Sequence, residues 1–138
     1  MFRLEKEFRF EASHQLLRHK GKCARMHGHS WVGRLVAEGP ALQTEGPATN
    51  MLLDFGDLGY IAKELSLVLD HHHLNDVLKT DSPTCEFLAQ WCFVRAHDIA
   101  RDLDFDVSLL KAVVIEETCT SRCEYRYVHS ETVTIQTP

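Results

Sequence analysis

The sequence predicts an α+β domain in which an antiparallel sheet carries two helices on one face. Three observations predict it. Residues 2–12 alternate apolar and charged, residues 55–69 repeat apolar side chains at helical spacing, and residues 109–118 and 124–136 are again rich in β-branched and aromatic residues. The order is strand, strand, helix, helix, strand, strand.

In the first strand Phe2, Leu4, Phe8, Phe10 and Ala12 share a face, and Arg3, Glu5, Glu7, Arg9 and Glu11 take the other. A polar loop follows, and residues 27–38 read as the second strand. Its alternation puts His27, His29, Trp31 and Leu35 on one side. Two Gly-Pro pairs mark residues 39–50 as loop. A helix is expected from Phe55 to Leu69, with Asp54 and Asp57 at its start and Leu58, Ile61, Ala62, Leu65, Val68 and Leu69 inward. A second helix is expected to open at Ser82-Pro83, a cap followed by proline at the first helical position, and to run through Leu88, Trp91, Cys92 and Ile99 to about Arg101. Strands at 109–118 and in the tail complete the sheet. Two helices cover only one face, so the other face is expected to find cover elsewhere, as by oligomerisation.

A chain of 138 residues fits one domain over 1–138. No stretch free of Asp, Glu, Lys and Arg exceeds eight residues, so no transmembrane helix is expected. The first residues are charged throughout and do not read as a signal peptide. Five Cys, an odd number, then suggest free thiols in a reducing, cytoplasmic setting. A net charge of -5 argues against general nucleic-acid binding.

Six of the nine His fall in three places: His14, His27 with His29, and His71-His72-His73. On a strand, His27 and His29 project from one face. If the first two strands pair, His14 can converge with them, and three imidazoles with an open fourth position make a catalytic rather than a structural zinc site. His-x-His alone is a weak signal, equally explained by two half-exposed strand histidines. Cys119 and Cys123 lack a second ligand pair of matching spacing and read as ordinary thiols. Cys23 lies in a loop with Arg18, Lys20, Lys22 and Arg25 and no acid. Those cations favour a thiolate that can act as base or nucleophile, and can hold an anionic substrate; a solvated basic loop with an incidental Cys fits the composition as well. Asp70 beside His71 has the makeup of a relay pair, although His at a helix C-terminus also serves as a simple cap.

Taken in order, Phe10-x-Ala12-x-His14, Cys23-x-x-x-His27-Gly28-His29, Asp54-Phe55-x-x-Leu58, Leu69-Asp70-His71-x-x-Leu74-Asn75, Pro83-Thr84-x-Glu86 and Glu117-Thr118 resemble the family of 6-pyruvoyltetrahydropterin and 6-carboxytetrahydropterin synthases. The resemblance implies a tunnelling fold, whose ββααββ subunits pool their sheets into an oligomeric barrel as a trimer or a dimer of trimers (hexamer), with active sites between subunits. It implies a Zn2+ cofactor on His14, His27 and His29, catalysis by Cys23, Asp70 and His71, and a small-molecule pterin substrate anchored by Glu117. Thr84 and Glu86 match by position and are given a lesser binding or support role. Strand alternation puts Glu117 on the side of Val113 and Ile115 and Glu116 on the other. The run Glu117–Arg126 and the pair His29-Ser30 are similar to the bacterial branch, which makes 6-carboxy-5,6,7,8-tetrahydropterin and releases acetaldehyde and triphosphate on the way to queuosine. The pyruvoyl branch, or a non-catalytic zinc- or pterin-binding module, remains the alternative. Two departures stand out: Phe87 where a polar Asn is expected, and a tail, Tyr127–Pro138, that runs past the family's usual end.

Overall fold

A computed structural model describes residues 1–128. Two long strands form its spine. β1, Phe2–His14, and β2, His27–Gly39, pair antiparallel along their whole length, from Phe2 opposite Gly39 to His14 opposite His27. The alternation seen in the sequence sends Phe8, Phe10, Ala12 and His14 of β1 inward with Trp31 and Leu35 of β2. Phe8 lies opposite Gly33, and its ring occupies the space a side chain there would fill. Any Cβ at position 33 would overlap that ring, so only glycine suits the rung.

α1, Phe55–Leu69, follows the predicted bounds. Asp54 caps it, with its Oδ1 accepting the Gly56 N–H at 2.6 Å, and Asp57 lies in the first turn where the helix dipole favours an acid. Leu58, Ile61, Ala62, Leu65 and Leu69 are buried; Val68 sits at the edge of the stripe, half-buried. The chain then makes two elements too short for any periodicity to reveal. β3, His72–His73, adds parallel to β1 with His72 opposite Ala12, and α2, Leu74–Leu78, follows directly. His71, at φ 57°, makes the corner between α1 and β3.

The next helix departs from the expected start. α3 runs Cys85–Ala100, and its cap is Thr84, whose Oγ1 accepts the Phe87 N–H at 3.2 Å. Ser82 instead closes a turn by accepting the Thr84 N–H on its carbonyl. Pro83 therefore lies outside the helix, with its carbonyl free to turn toward β1. Leu88, Ala89, Cys92, Phe93, Ala96 and Ala100 are buried, while Trp91 and Ile99 pack half-buried at the margin.

β4, Leu110–Thr118, and β5, Ser121–Arg126, form a hairpin that completes the order β3-β1-β2-β4-β5. The last strand starts earlier than the expected 124–136; residues 129–136 of that expectation lie outside the described residues. Between β4 and β5 the register slips by one, so Glu117 is the extra residue of a bulge, a device that re-aims a side chain.

The sheet face away from the helices is not bare. Arg3 bonds Glu5 at 2.7 Å and Glu38 at 2.8 Å, Arg34 bonds Glu116 at 3.1 Å, and Arg126 forks onto Glu38 at 2.8 and 2.9 Å. Val36, Ala112 and Val114 lie buried beneath this lattice. The charged pairs thus lie over the apolar strip of this face. Among the described residues no helix is long and apolar enough to cross a membrane.

Glu38 carries the clearest consequence. The Arg126 fork, aided by Arg3, brings its carboxyl down to about 2. A carboxylate depressed in the folded state stabilises the fold above its unfolded value, 4.5, and loses that contribution as pH falls toward about 2. Glu38→Gln is therefore expected to lower the urea midpoint at pH 7 and to converge with the parent as pH falls from 5 to 2. A gap that stays constant across that range contradicts the ion-pair account.

Candidate metal centre and catalytic groups

The last rungs of the β1–β2 ladder bring three imidazoles together. His14 pairs with His27, and Ala12 pairs with His29, so all three rings rise from the helix-facing side at one end of the sheet. The ring centroids are 4.5 Å apart for His14–His27, 5.2 Å for His14–His29 and 5.0 Å for His27–His29. Trp31, stacked on Phe10 and bonded through its indole N–H to the Ala12 carbonyl at 3.1 Å, forms the floor under His14 and His29.

Two rings are aimed by backbone carbonyls. His14 Nδ1 lies 2.9 Å from the Pro83 carbonyl, and His27 Nδ1 lies 2.7 Å from that of Arg25. A carbonyl can only accept, so Nδ1 donates in both rings and Nε2 is left with a free lone pair. His14 is 1% exposed and its Nε2 has no hydrogen-bond partner; His29 Nε2 is likewise buried and unpartnered. Burial holds both His14 and His29 below the ordinary imidazole value, which keeps them neutral, as a ligand must be. Buried polar atoms are seldom left unpaired. Two buried, unpartnered Nε2 atoms in one close cluster, beside a third imidazole, fit a transition-metal ion better than they fit a core of satisfied histidines.

Glu117 joins this group. Its carboxylate and the three imidazoles offer ligand atoms all within 4.8 Å of one another. Alternation along β4 puts Glu117 on this side, at a one-residue bulge, whereas Glu116 lies on the opposite face, bonded to Arg34. Cys119 is exposed on the hairpin turn, and neither it nor Cys123 belongs to the cluster.

The other predicted residues lie around the cluster. Cys23 sits half-buried on a 3-10 turn, Lys22–Ala24, whose Cys23 carbonyl accepts the Leu16 N–H at 2.9 Å. The loop is thereby hung from the chain just beyond His14. Burial pushes the Cys85 thiol up to about 12 and raises those of Cys92 and Cys123 as well, which keeps these three protonated. In the basic loop Arg18 is engaged by Asp81 at 2.9 Å, so that charge is partnered. Asp70 and His71 do form a pair, Oδ2 to Nδ1 at 3.0 Å. The Glu11 N–H, donating to Asp70 Oδ1 at 2.8 Å, and then His71 itself hold the Asp70 carboxyl below its usual range. Thr84 spends its hydroxyl on the α3 cap, and Glu86 lies exposed in the first turn of that helix.

Within one chain these groups are brought near one another only in part. His71 lines an open cleft of about 470 Å³ together with Glu11, Ser13, Ser30 and His73. Cys23 is absent from its lining, and among the described residues no hydrogen bond or ion pair links Cys23 or the Asp70–His71 pair to the imidazole cluster. Three supporting residues had been given no role at the site by sequence. Pro83 aims His14. Asn75 clamps Gln15, accepting its N–H at 2.9 Å and donating to its carbonyl at 2.7 Å. Ser13 Oγ lies 2.9 Å from His73 Nδ1. Pro83 and Asn75 stand in the motifs Pro83-Thr84-x-Glu86 and Leu74-Asn75, whereas no sequence signal marked Ser13.

Comparison with known proteins agrees with this geometry. Residues 3–127 match the family model described as 6-pyruvoyl tetrahydropterin synthase. The 6-carboxy-5,6,7,8-tetrahydropterin synthase of Synechocystis sp. is 41% identical over 91% of this chain and 93% of its own length. The protein of the same name from Haemophilus influenzae is 32% identical, over 91% and 99%. Among solved structures, 6-pyruvoyl tetrahydropterin synthase of Caenorhabditis elegans superposes with a TM-score of 0.77 at 24% identity, covering 92% of this chain and 96% of that one. That likeness establishes the tunnelling fold of the subunit.

His14→Ala removes the most buried ring. It is expected to weaken the binding of divalent transition metals at least about tenfold, the lower end of what loss of even an outer-shell partner costs. Cys119→Ser and Cys123→Ser are expected to leave metal affinity unchanged. Competition with a chromophoric chelator measures all three, and the reverse pattern places the metal on the thiols.

Proposed function

The chain belongs to the 6-pyruvoyl tetrahydropterin synthase family, and from that premise we propose that it is a zinc-dependent 6-carboxy-5,6,7,8-tetrahydropterin synthase. It converts 7,8-dihydroneopterin triphosphate to 6-carboxytetrahydropterin with release of acetaldehyde and triphosphate, a cytoplasmic step toward queuosine and related deazapurines. The observation that carries this reading is the set of three converging imidazoles, two of them with unpartnered Nε2 atoms, next to the Glu117 carboxylate.

His14, His27 and His29 would hold the zinc, which when bound would supply Lewis-acid polarisation of the substrate's side-chain hydroxyls. The remaining chemistry belongs to the chain's own groups. Glu117 accepts the amino and ring N–H donors of the pterin, a two-point contact that fixes the ring. Cys23 takes a proton from the side chain. The Asp70–His71 pair moves a proton on the other side; Asp70, kept ionised by the Glu11 N–H, orients the imidazole and offsets its charge when protonated. Lys20, Lys22 and Arg25 hold the triphosphate, with Arg18 engaged by Asp81 as the anchor of their loop.

One chain keeps the Asp70–His71 pair on a cleft that Cys23 does not reach. That separation supports a working site completed between copies of the chain, in a trimer or a dimer of trimers. Transfer of the product from the named relatives rests on identity across nearly their whole length.

Incubation of the purified protein with 7,8-dihydroneopterin triphosphate, followed by mass analysis of the pterin product, tests the reading. 6-Carboxytetrahydropterin is expected; a pyruvoyl product assigns the other branch, and no turnover leaves only a binding module. Cys23→Ala is expected to lower turnover by about 10²- to 10⁴-fold, the usual loss when a proton-transfer group is removed, while keeping its metal. Near-normal activity in that variant removes Cys23 from the mechanism.

A further inference from the structure

We infer that Glu117 is the fourth metal ligand of the substrate-free protein, closing the three-histidine site until pterin binding draws the carboxylate away. The inference rests on the metal centre of the function proposed above, and not on which product is made.

Three observations carry it. Glu117 Oε1 lies 3.3 Å from His29 Nε2, yet His29 Nε2 has no hydrogen-bond partner. The two atoms are close but do not point at each other. An ideal tetrahedron with metal–ligand arms of about 2.0–2.1 Å has edges of about 3.3–3.4 Å, so the separation is that of two ligands sharing one ion. Second, His14 Nε2, in a ring 1% exposed, has no partner and belongs to the same four-atom group. Three nitrogens and one oxygen suffice for a complete tetrahedral set. Third, alternation along β4 puts Glu117 on the side of Val113 and Ile115, the side of the imidazoles, and the one-residue bulge there leaves Glu117 without a rung on β5.

A carboxylate also suits the charge. An imidazole ligand carries no negative charge, so a dication held by three of them has no anion from the strands that hold it. Glu117 supplies one. The same oxygens then have two competing uses, the metal in the free protein and the pterin N–H donors in the complex. Binding of the ring releases the ligand position that the substrate's side-chain oxygen needs, so the site opens only when the correct ring is present.

The test compares the intact protein with Glu117→Gln, Glu117→Asp and Glu116→Gln, without substrate. Zn2+ affinity is measured by chelator competition, and the coordination sphere by the visible absorption of the Co2+-loaded forms. Glu117→Gln is expected to bind Zn2+ at least about tenfold more weakly and to show a changed Co2+ spectrum, because water replaces an anionic ligand. Glu117→Asp, one methylene shorter, is expected to fall between, and Glu116→Gln to match the parent on both readouts. Far-UV circular dichroism confirms that the variants are folded, and the aspartate variant retains the test if the glutamine variant is not. Equal affinity and identical Co2+ spectra for Glu117→Gln and the parent overturn the inference while leaving the three-histidine centre standing. Failure of the parent itself to bind Zn2+ overturns the metal centre, and the inference with it.

Discussion

The pairing of His14 with His27 at the final rung of the β1–β2 ladder is the constraint from which the site follows. Side chains alternate along a strand, so a slip of one residue would turn Phe8, Phe10, Ala12 and His14 together to the wrong face. The apolar core forbids that slip. Phe10, Trp31 and Leu35 are each 2% exposed or less, and the Phe8 ring fits only over a glycine. The energy that fixes the register is hydrophobic, and the imidazoles gain their placement from it. A metal site on these strands is thus an extension of the core and needs no dedicated loop.

The two faces of the sheet solve different problems. The helix-facing side packs against α1 and α3 and leaves at its open end a small polar group, the histidines and Glu117, in which the Nε2 atoms of His14 and His29 have no hydrogen-bond partner. The opposite side is polar almost throughout and locks its charges in pairs, with Glu38 shared by Arg3 and Arg126 and Glu116 shared by Arg34 and Arg122. Exposed ion pairs add little stability singly, but shared partners in a network hold one another in place.

Much of this was legible in the sequence because it rests on period. Alternation marked β1 and the shared side of His27, His29 and Trp31, and helical spacing with Asp54 marked α1 from end to end. What escaped has no period. β3 and α2 are two and five residues long. Ser82-Pro83 had the composition of a helix start, but the Pro83 carbonyl bonds a histidine sixty-nine residues away, and no local pattern records that demand. Alternation put Glu117 and Glu116 on opposite sides, while the bulge at Glu117 comes from the β4–β5 register. That the charges of the outer face pair with one another was likewise not legible, because composition shows charges without showing their partners.

X-ray absorption at the zinc edge of the purified protein tests the central claim most directly, because it separates nitrogen and oxygen ligands from sulfur by distance. The account predicts three imidazole nitrogens and one oxygen at about 2.0–2.1 Å, with imidazole back-scattering and no sulfur shell near 2.3 Å. A sulfur shell, fewer imidazoles, or no bound zinc would contradict it.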